Sequence, residues 1–424
     1  MIVVEHHAET VLTIVDKAHV LINGAVAYEG EAGKLGEDRA LQAKLLGVVT
    51  TKSPPRSPKS RSRKRVKGEF EMALRIGIIG LGTIGKTHWK VIRESPQTTL
   101  IAVADPTPSA LDFARAESIP AYADYREMLE NETLDGVIVA VPNAEHVPVA
   151  LACIERGIAV LVEKPVADLV EAALLMCKAA EARDVPLLVG HHRRHNTAIQ
   201  RVRQAIRDGL IGRPVTATVM YNQLKPANYF DLAWRRQVGG GLILINLIHE
   251  IDLIRFMFGE IHSLQAVSSN AVRGFAVEDT AAVLLRFHSG AIGTISVSDT
   301  AVSPFSWDLA SGELDLMFGT SDQRKRQKVS SHVFAGTEGS LTLPTLHYYN
   351  YRDAAEPGWR SDLNAEILAA ESADTYLRQI EHFARVIRRE EAPLVSGLDG
   401  VRTLQATLAV KEAAATGHTI MLSE

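Results

Sequence analysis

The chain is 424 residues long, 46% hydrophobic and 23% charged, an ordinary globular mixture with room for two domains and part of a third. No apolar run reaches the roughly 18 residues of a membrane span, and the amino terminus lacks the basic flank and apolar core of a secretory signal. Its two cysteines, Cys153 and Cys177, cannot build a disulfide framework, which points to a reduced cytoplasm, and its net charge is −4.

Residues 1–48 read as a strand, a helix and short strands. They resemble the carboxyl-terminal tail of a branched-chain amino-acid-type ABC transporter ATPase, and the resemblance puts His6 at the switch-histidine position. Residues 1–48 contain no G-x-x-x-x-G-K-[ST] loop to hold ATP, so the stretch is expected to be a fragment without hydrolytic activity. Residues 49–71 read as a basic linker, with eight Lys and Arg and three prolines between Thr51 and Gly68. Such a segment buries too little apolar surface to offset its ordering entropy, so disorder is expected. Residues 1–71 carry 12 basic and 9 acidic side chains, so the remainder is acidic, which argues against a nucleic-acid partner. The main folded part is expected to start near Met72.

From Leu74 onward, short β-rich runs alternate with amphipathic helical patterns, the signature of parallel β-α-β units. A doubly wound Rossmann domain is assigned to residues 72–192. After about residue 213 the rhythm changes to successive strands, with His288-Ser289-Gly290 as a hairpin turn. Residues 193–424 are therefore read as an α+β domain with a large, mostly antiparallel open sheet, one helix from about Gly241 to Phe258, and two closing helices. The fold class is α/β.

Gly80-Leu81-Gly82-Thr83-Ile84-Gly85 follows an apolar strand and opens a helix. Gly80 permits the tight turn, Gly82 lets backbone approach a pyrophosphate, and Gly85 lets helix and strand pack closely, with Thr83 and Ile84 completing the bend. The helix amino terminus adds free N–H groups and the positive end of its dipole. Asp105 ends the second strand 20 residues after Gly85, the spacing of a carboxylate that bonds an adenosine ribose. It favours NAD over NADP, because a 2′-phosphate there meets a like charge. Its bland reading is a turn cap.

Pro142, Asn143 and His146 follow the strand ending at Ala140, and Glu163-Lys164-Pro165 follows the next one. Carboxyl ends of parallel strands are where open α/β sheets bind ligands, so these residues are placed against the cofactor. Alone, Glu-Lys-Pro is a surface turn; here Lys164 is directed into the crevice. Partial desolvation and the positive nicotinamide both lower its pKa and suit it to exchange a proton with a substrate hydroxyl.

The stretches GLGTIG, VPNAEH, VEKP, GHHRRHN, GGGLILINLIHEID and EHFARVIRR, spread over residues 72–424, together resemble the Gfo/Idh/MocA family of oxidoreductases. The resemblance implies a Rossmann domain, a carboxyl-terminal open sheet used for homo-oligomerisation, and a substrate site between them for sugars, polyols or related hydroxylated molecules. It also implies an acid/base lysine working with an Asp and a His in the pattern D-x-x-x-H-x-x-D. The histidine is then His249 and the last acid Asp252, whereas Ile245, with Asn246 beside it, replaces the first acid. An apolar residue cannot orient a histidine, so Asp252, three residues from His249 on one helix face, is expected to fill part of that role. His249 is the expected substrate orienter or second proton carrier, and a structural histidine is its bland alternative.

His191-His192-Arg193-Arg194-His195 has no converging cysteine or histidine cluster, so no metal is assigned. By the resemblance His192 faces the crevice near the nicotinamide, and Arg194 is a structural anchor. Tyr221-Asn222 and Asp231–Arg235 fall where the family draws substrate contacts. Asn222 is taken as one, Trp234 as a stacking face, and Arg235 as a holder of carboxylate or phosphate; packing and solvation are the bland reading of the last two. The leading reading is an NAD(P)-dependent oxidoreductase acting on CH–OH groups. The same site with transient NAD, for elimination or glycosidic cleavage, and a non-enzymatic sensor are the alternatives.

Overall fold

The computed structural model describes residues 17–22, 25–31, 73–313 and 327–423. His6, most of the transporter-like stretch and the basic segment 49–71 lie outside the described residues. The chain divides into two units, residues 1–69 and 70–424. In the first, β1 (Lys17–Ile22) and β2 (Ala25–Glu31) pair as an antiparallel hairpin.

The second unit begins with a six-stranded parallel sheet. Its strands are β3 (Leu74–Ile79), β4 (Thr98–Ala104), β5 (Ala121–Tyr122), β6 (Gly136–Val139), β7 (Ala159–Val162) and β8 (Leu187–Val189), in the order β5-β4-β3-β6-β7-β8. Between them run α1 (Thr83–Glu94), α2 (Pro108–Ala116), α3 (Tyr125–Asn131), α4 (His146–Glu155) and α5 (Val170–Ala182). All four residues of β6 and of β7 are buried, as befits central strands covered on both faces. Helix α1 buries Gly85, His88, Val91 and Ile92, one stripe at helical spacing. The strand order reverses beside β3, which opens a crevice at the carboxyl ends of β3, β6 and β7.

Helix α6 (Thr197–Arg207), capped by the Asn196 side chain, leads into a nine-stranded sheet. Its strands are β9 (Pro214–Asn222), β10 (Ile261–Ser269), β11 (Thr280–Phe287), β12 (Ile292–Ser298), β13 (His332–Gly336), β14 (Gly339–Leu343), β15 (His347–Asn350), β16 (Asn364–Ile367) and β17 (Ile420–Met421). The order is β16-β15-β14-β13-β9-β12-β11-β10-β17, antiparallel except at β9–β12. Burial alternates along β11, so one face packs on helices and the other is open. The β11–β12 hairpin turns at His288–Gly290, with Gly290 at φ +85°. Helices α7 (Ile248–Phe258) and α8 (Trp307–Ser311) stand near β9, whereas α9 (Thr375–Ile387) and α10 (Gly397–Thr416) close the chain.

The helix foreseen over 241–258 is not uniform. A π-helical turn, Ile243–Leu247, precedes α7. The division at 192/193 is also crossed by the closing helices. Tyr376, Ile380 and Phe383 of α9 join the core around Ile76 and Ile92, and Val401 and Leu404 of α10 join that around Val139 and Val160. Farther along α10, Ala406, Ala409 and Val410 complete the core of the large sheet. One helix thus serves both cores.

A buried ion pair locks α7 in this frame. Arg194 Nε and one terminal nitrogen donate to the two oxygens of Asp252 at 2.9 and 2.7 Å, and Thr403 Oγ1 of α10 donates to the same carboxylate at 3.0 Å. Desolvation alone raises the Asp252 pKa, but Arg194 and His191 overcome it and hold the carboxyl well below its ordinary range. Asp252→Ala takes both close acceptors from the buried guanidinium and leaves it the longer contact to Asp399 at 3.3 Å. It is expected to cost about 3–5 kcal/mol in urea unfolding, and a loss under about 1 kcal/mol would show that the pair does not hold the helix.

Candidate active site

The glycine bend between β3 and α1 has the geometry of a dinucleotide cradle. Gly80 sits at φ +92°, and a β-carbon there would lie 2.4 Å from the Ala140 carbonyl. At Gly85 a β-carbon would lie 2.0 Å from the Gly80 carbonyl, so only glycine permits this approach of helix to strand. Gly82 faces open space, and α1 starts with no side-chain cap and no acid in its first turn. Thr83 is exposed and Ile84 half-buried at that turn. Free N–H groups, room beside Gly82 and an uncompensated helix dipole suit a pyrophosphate, so the residues present fit NAD.

Asp105 closes the same bend. Its Oδ2 accepts from the Leu81 N–H at 2.8 Å, and its Oδ1 accepts from the Thr107 N–H and hydroxyl at 2.9 and 2.6 Å. The turn-capping role is thus real, and Oδ2, with one donor on it, keeps lone-pair capacity for a ribose hydroxyl. Pro142 and Asn143 open the next turn, beyond β6. His146 does not reach the crevice. Its ring is 1% exposed, with Nδ1 2.7 Å from the Pro165 carbonyl and Nε2 2.9 Å from that of Val141. It ties two cradle loops together, which corrects its assignment as a cofactor contact.

Glu163 needs a similar correction. Its carboxylate turns inward to His88 Nε2 of α1 at 2.8 Å. Burial opposes its ionisation, yet the His88 hydrogen bond keeps its pKa below the ordinary value. Lys164, next in sequence, points the other way, and its Nζ donates to the Ile245 carbonyl at 3.1 Å. Burial lowers its pKa, Glu163 opposes the shift, and Arg193 adds to it. His249 lies near this ammonium. Burial, then Lys164 and Arg193, push its pKa well down, so the ring is neutral, and its buried Nδ1 has no hydrogen-bond partner. The His192 ring packs edge-on to His249 at 5.4 Å and stacks on Tyr376 at 4.5 Å. Asp252 takes no part in orienting His249, because both its oxygens serve Arg194; that expectation is corrected.

The π turn explains the missing acid. Ile245 presents its carbonyl to Lys164, and Asn246 carries the polar side chain. Its Oδ1 accepts from Lys225 Nζ at 2.6 Å, and its Nδ2 donates to the Tyr221 hydroxyl at 2.7 Å. Tyr221 in turn donates to Asp308 Oδ2 at 2.6 Å. Strand alternation decides which β9 side chain enters: Tyr221 is buried, and Asn222 faces the opposite, open side, 3.3 Å from Ser296. Asn222 is therefore corrected as a substrate contact; the inward residue is Tyr221, fully buried with its hydroxyl engaged by Asp308, Gln223 and Asn246.

Sequence reasoning also missed the charged centre. Arg193 donates to Glu250 at 2.7 Å, to Asp308 at 2.5 Å and to Glu313 at 3.1 Å, and His332 meets Glu250 at 2.7 Å. Burial and the Glu313 charge raise the Asp308 pKa against the pull of Arg193. Trp234 and Arg235 lie at the edge of the cluster. Trp234 is half exposed, and Arg235 packs over the Tyr229 ring at 3.9 Å and donates to the Tyr229 carbonyl at 2.6 Å.

The chain's relatives bear on this geometry. Residues 74–191 match the oxidoreductase family with an NAD-binding Rossmann fold, and residues 199–313 match the GFO/IDH/MocA carboxyl-terminal domain. Neither match includes residues 1–48, whose likeness to a transporter ATPase tail gains no support. Myo-inositol 2-dehydrogenase of Thermotoga maritima is 28% identical, over 83% of this chain and 99% of that protein. Scyllo-inositol 2-dehydrogenase (NAD(+)) of Bacillus subtilis is 25% identical, over 83% of this chain and 97% of that protein. The WlbA dehydrogenase of Bordetella pertussis, solved with NADH and UDP-GlcNAcA, superposes with a TM-score of 0.66 at 23% identity, over 83% of this chain and all of that one. The two family models together cover more than half of the sequence, from the glycine bend to the carboxylate that meets Arg193. This chain belongs to the Gfo/Idh/MocA family of NAD-binding oxidoreductases.

Proposed function

We propose that this protein is an NAD-dependent dehydrogenase that oxidises a CH–OH group of a sugar, polyol or related hydroxylated molecule, with Lys164 as its acid/base. The observation that carries the reading is the desolvated Lys164 ammonium beyond the carboxyl end of β7, held by a carbonyl and facing a neutral His249. The dehydrogenase names of the inositol-oxidising relatives support it. NAD held at the Gly80–Gly85 bend would supply hydride transfer to and from the carbinol carbon. Neutral Lys164 accepts the hydroxyl proton as the carbonyl forms, and donates it back in reduction. His249 holds the same oxygen by a hydrogen bond without adding charge. His192 and Tyr376 wall the site and exclude water.

Oligomerisation through the large sheet belongs to the same reading. Val267, Leu284 and Ile292 project from its open face at 68, 46 and 47% exposure, apolar surface suited to a second copy of the chain. No helix among the described residues is long and apolar enough to cross a membrane.

Lys164→Met is expected to lower kcat/KM by roughly 10²–10⁴ while the NAD+ Kd changes less than threefold; a variant within threefold of wild type removes Lys164 from the mechanism. Its lowered pKa fixes the sign of the pH dependence. The base form gains population as pH rises, so oxidative kcat/KM climbs through an inflection below the ordinary lysine value of 10.5. That limb disappears in Lys164→Met, and a profile identical in both proteins assigns it elsewhere. Asp105→Ser removes the charge that repels a 2′-phosphate, so the ratio of NAD+ to NADP+ efficiency should fall roughly tenfold or more; an unchanged ratio places the discrimination at another residue.

A further inference from the structure

Consecutive residues of the π turn hold two ammonium groups. Ile245 holds Lys164 through its carbonyl, and Asn246 holds Lys225 through its side-chain oxygen. Lys225 lies in the loop beyond β9, 8% exposed, and the dehydrogenase reaction gives it no task. Its nearest carboxylate, Asp299, stands 3.8 Å away, beyond hydrogen-bond reach, and gives its Oδ1 to Arg273 Nε at 2.7 Å. Burial, with Arg235 and Lys164 adding to it against the Asp299 charge, pushes the Lys225 ammonium down to about 8.

A second cation stands beside it. Lys225 and Arg235 both lie against the Tyr229 ring, at 4.5 and 3.9 Å from its centre. Arg235 satisfies one nitrogen on the Tyr229 carbonyl, but its Nε is buried without a hydrogen-bond partner. A buried guanidinium donor left open is costly, because the group has lost water and gained nothing. Lys225 thus has Asp299 and, farther off, Asp308 as opposing charges without a hydrogen bond to either, and Arg273 takes Asp299 Oδ1.

We propose that Lys225 and Arg235 form an anion subsite, and that the substrate is a hydroxylated carboxylic acid, such as a sugar acid, rather than a neutral polyol. This rests on the dehydrogenase reading of the same site. One carboxylate oxygen takes the Lys225 ammonium and the other the free Arg235 Nε–H, as charge-assisted bonds. The carbinol to be oxidised then lies on the Lys164 side, because the π turn fixes both ammonium groups within one turn of backbone.

The test pairs each acid with its neutral counterpart, D-gluconate with D-glucitol and D-galacturonate with D-galactose, on the full-length protein saturated with NAD+. Binding is read by titration calorimetry, and turnover by absorbance of the reduced nicotinamide. The wild type should favour the acid of at least one pair by 10-fold or more in Kd. Lys225→Met should reduce that preference by roughly 10–100-fold, Arg235→Gln should reduce it in the same direction, and Lys225→Arg should retain most of it. Circular dichroism confirms that each variant is folded, and Arg235→Gln carries the test if Lys225→Met is not. Neutral molecules bound as tightly as their acids, no binding of either acid, or a preference untouched by these substitutions would each overturn the subsite. Acids bound with the expected preference but never oxidised uphold it and defeat the dehydrogenase reading instead.

Discussion

Burying a guanidinium obliges a protein to supply oxygens for it, and Arg193 sets that obligation here. The side chain is 3% exposed, and its donors reach Glu250 on α7, Asp308 on α8 and Glu313 beyond it. Taking so many charges from water is repaid only where geometry and further hydrogen bonds are good. Tyr221, Trp307 and His332 supply those bonds. The large sheet and its helices are thereby pinned to the 3₁₀ turn that follows β8, the edge of the cofactor domain. The crevice is shaped from there.

Around that centre, like charges do the tuning. Lys164, His249 and Lys225 are all depressed below their ordinary values, with burial as the largest cause in each case. Arg193 adds to the shift at Lys164 and at His249, and Lys164 adds to it at His249 and at Lys225. The carboxylates that temper these shifts are already bonded to other partners. Two depressed lysines and a neutral imidazole therefore coexist in one water-poor volume.

What the sequence made legible follows from how local each signal is. The glycine bend, the strand runs ending in Asp105, Ala140 and Lys164, and the alternation along β11 are written in neighbouring residues. Lys164 and His249 are found the same way, through short motifs. The partners of Arg193 lie 57, 115 and 120 residues away, and no local pattern links them. Composition does not say which face of β9 looks inward, so Tyr221 and Asn222 are not told apart in the sequence. His146 and Glu163 sit in the right turns yet face the interior, since a motif fixes backbone position more firmly than side-chain direction. Lys225 had no motif at all.

The π turn bears on how such chains diverge. A turn with one extra residue rotates the preceding backbone by about 100° relative to an uninterrupted helix. Counting four residues back from His249 names Ile245, yet the polar side chain delivered to the site belongs to its neighbour. Pitch, and not only composition, thus selects which group meets the reactants. Losing the extra residue of that turn would change the phase at which Asn246 meets Lys225 and Tyr221. Specificity in this fold can drift through helical phase alone.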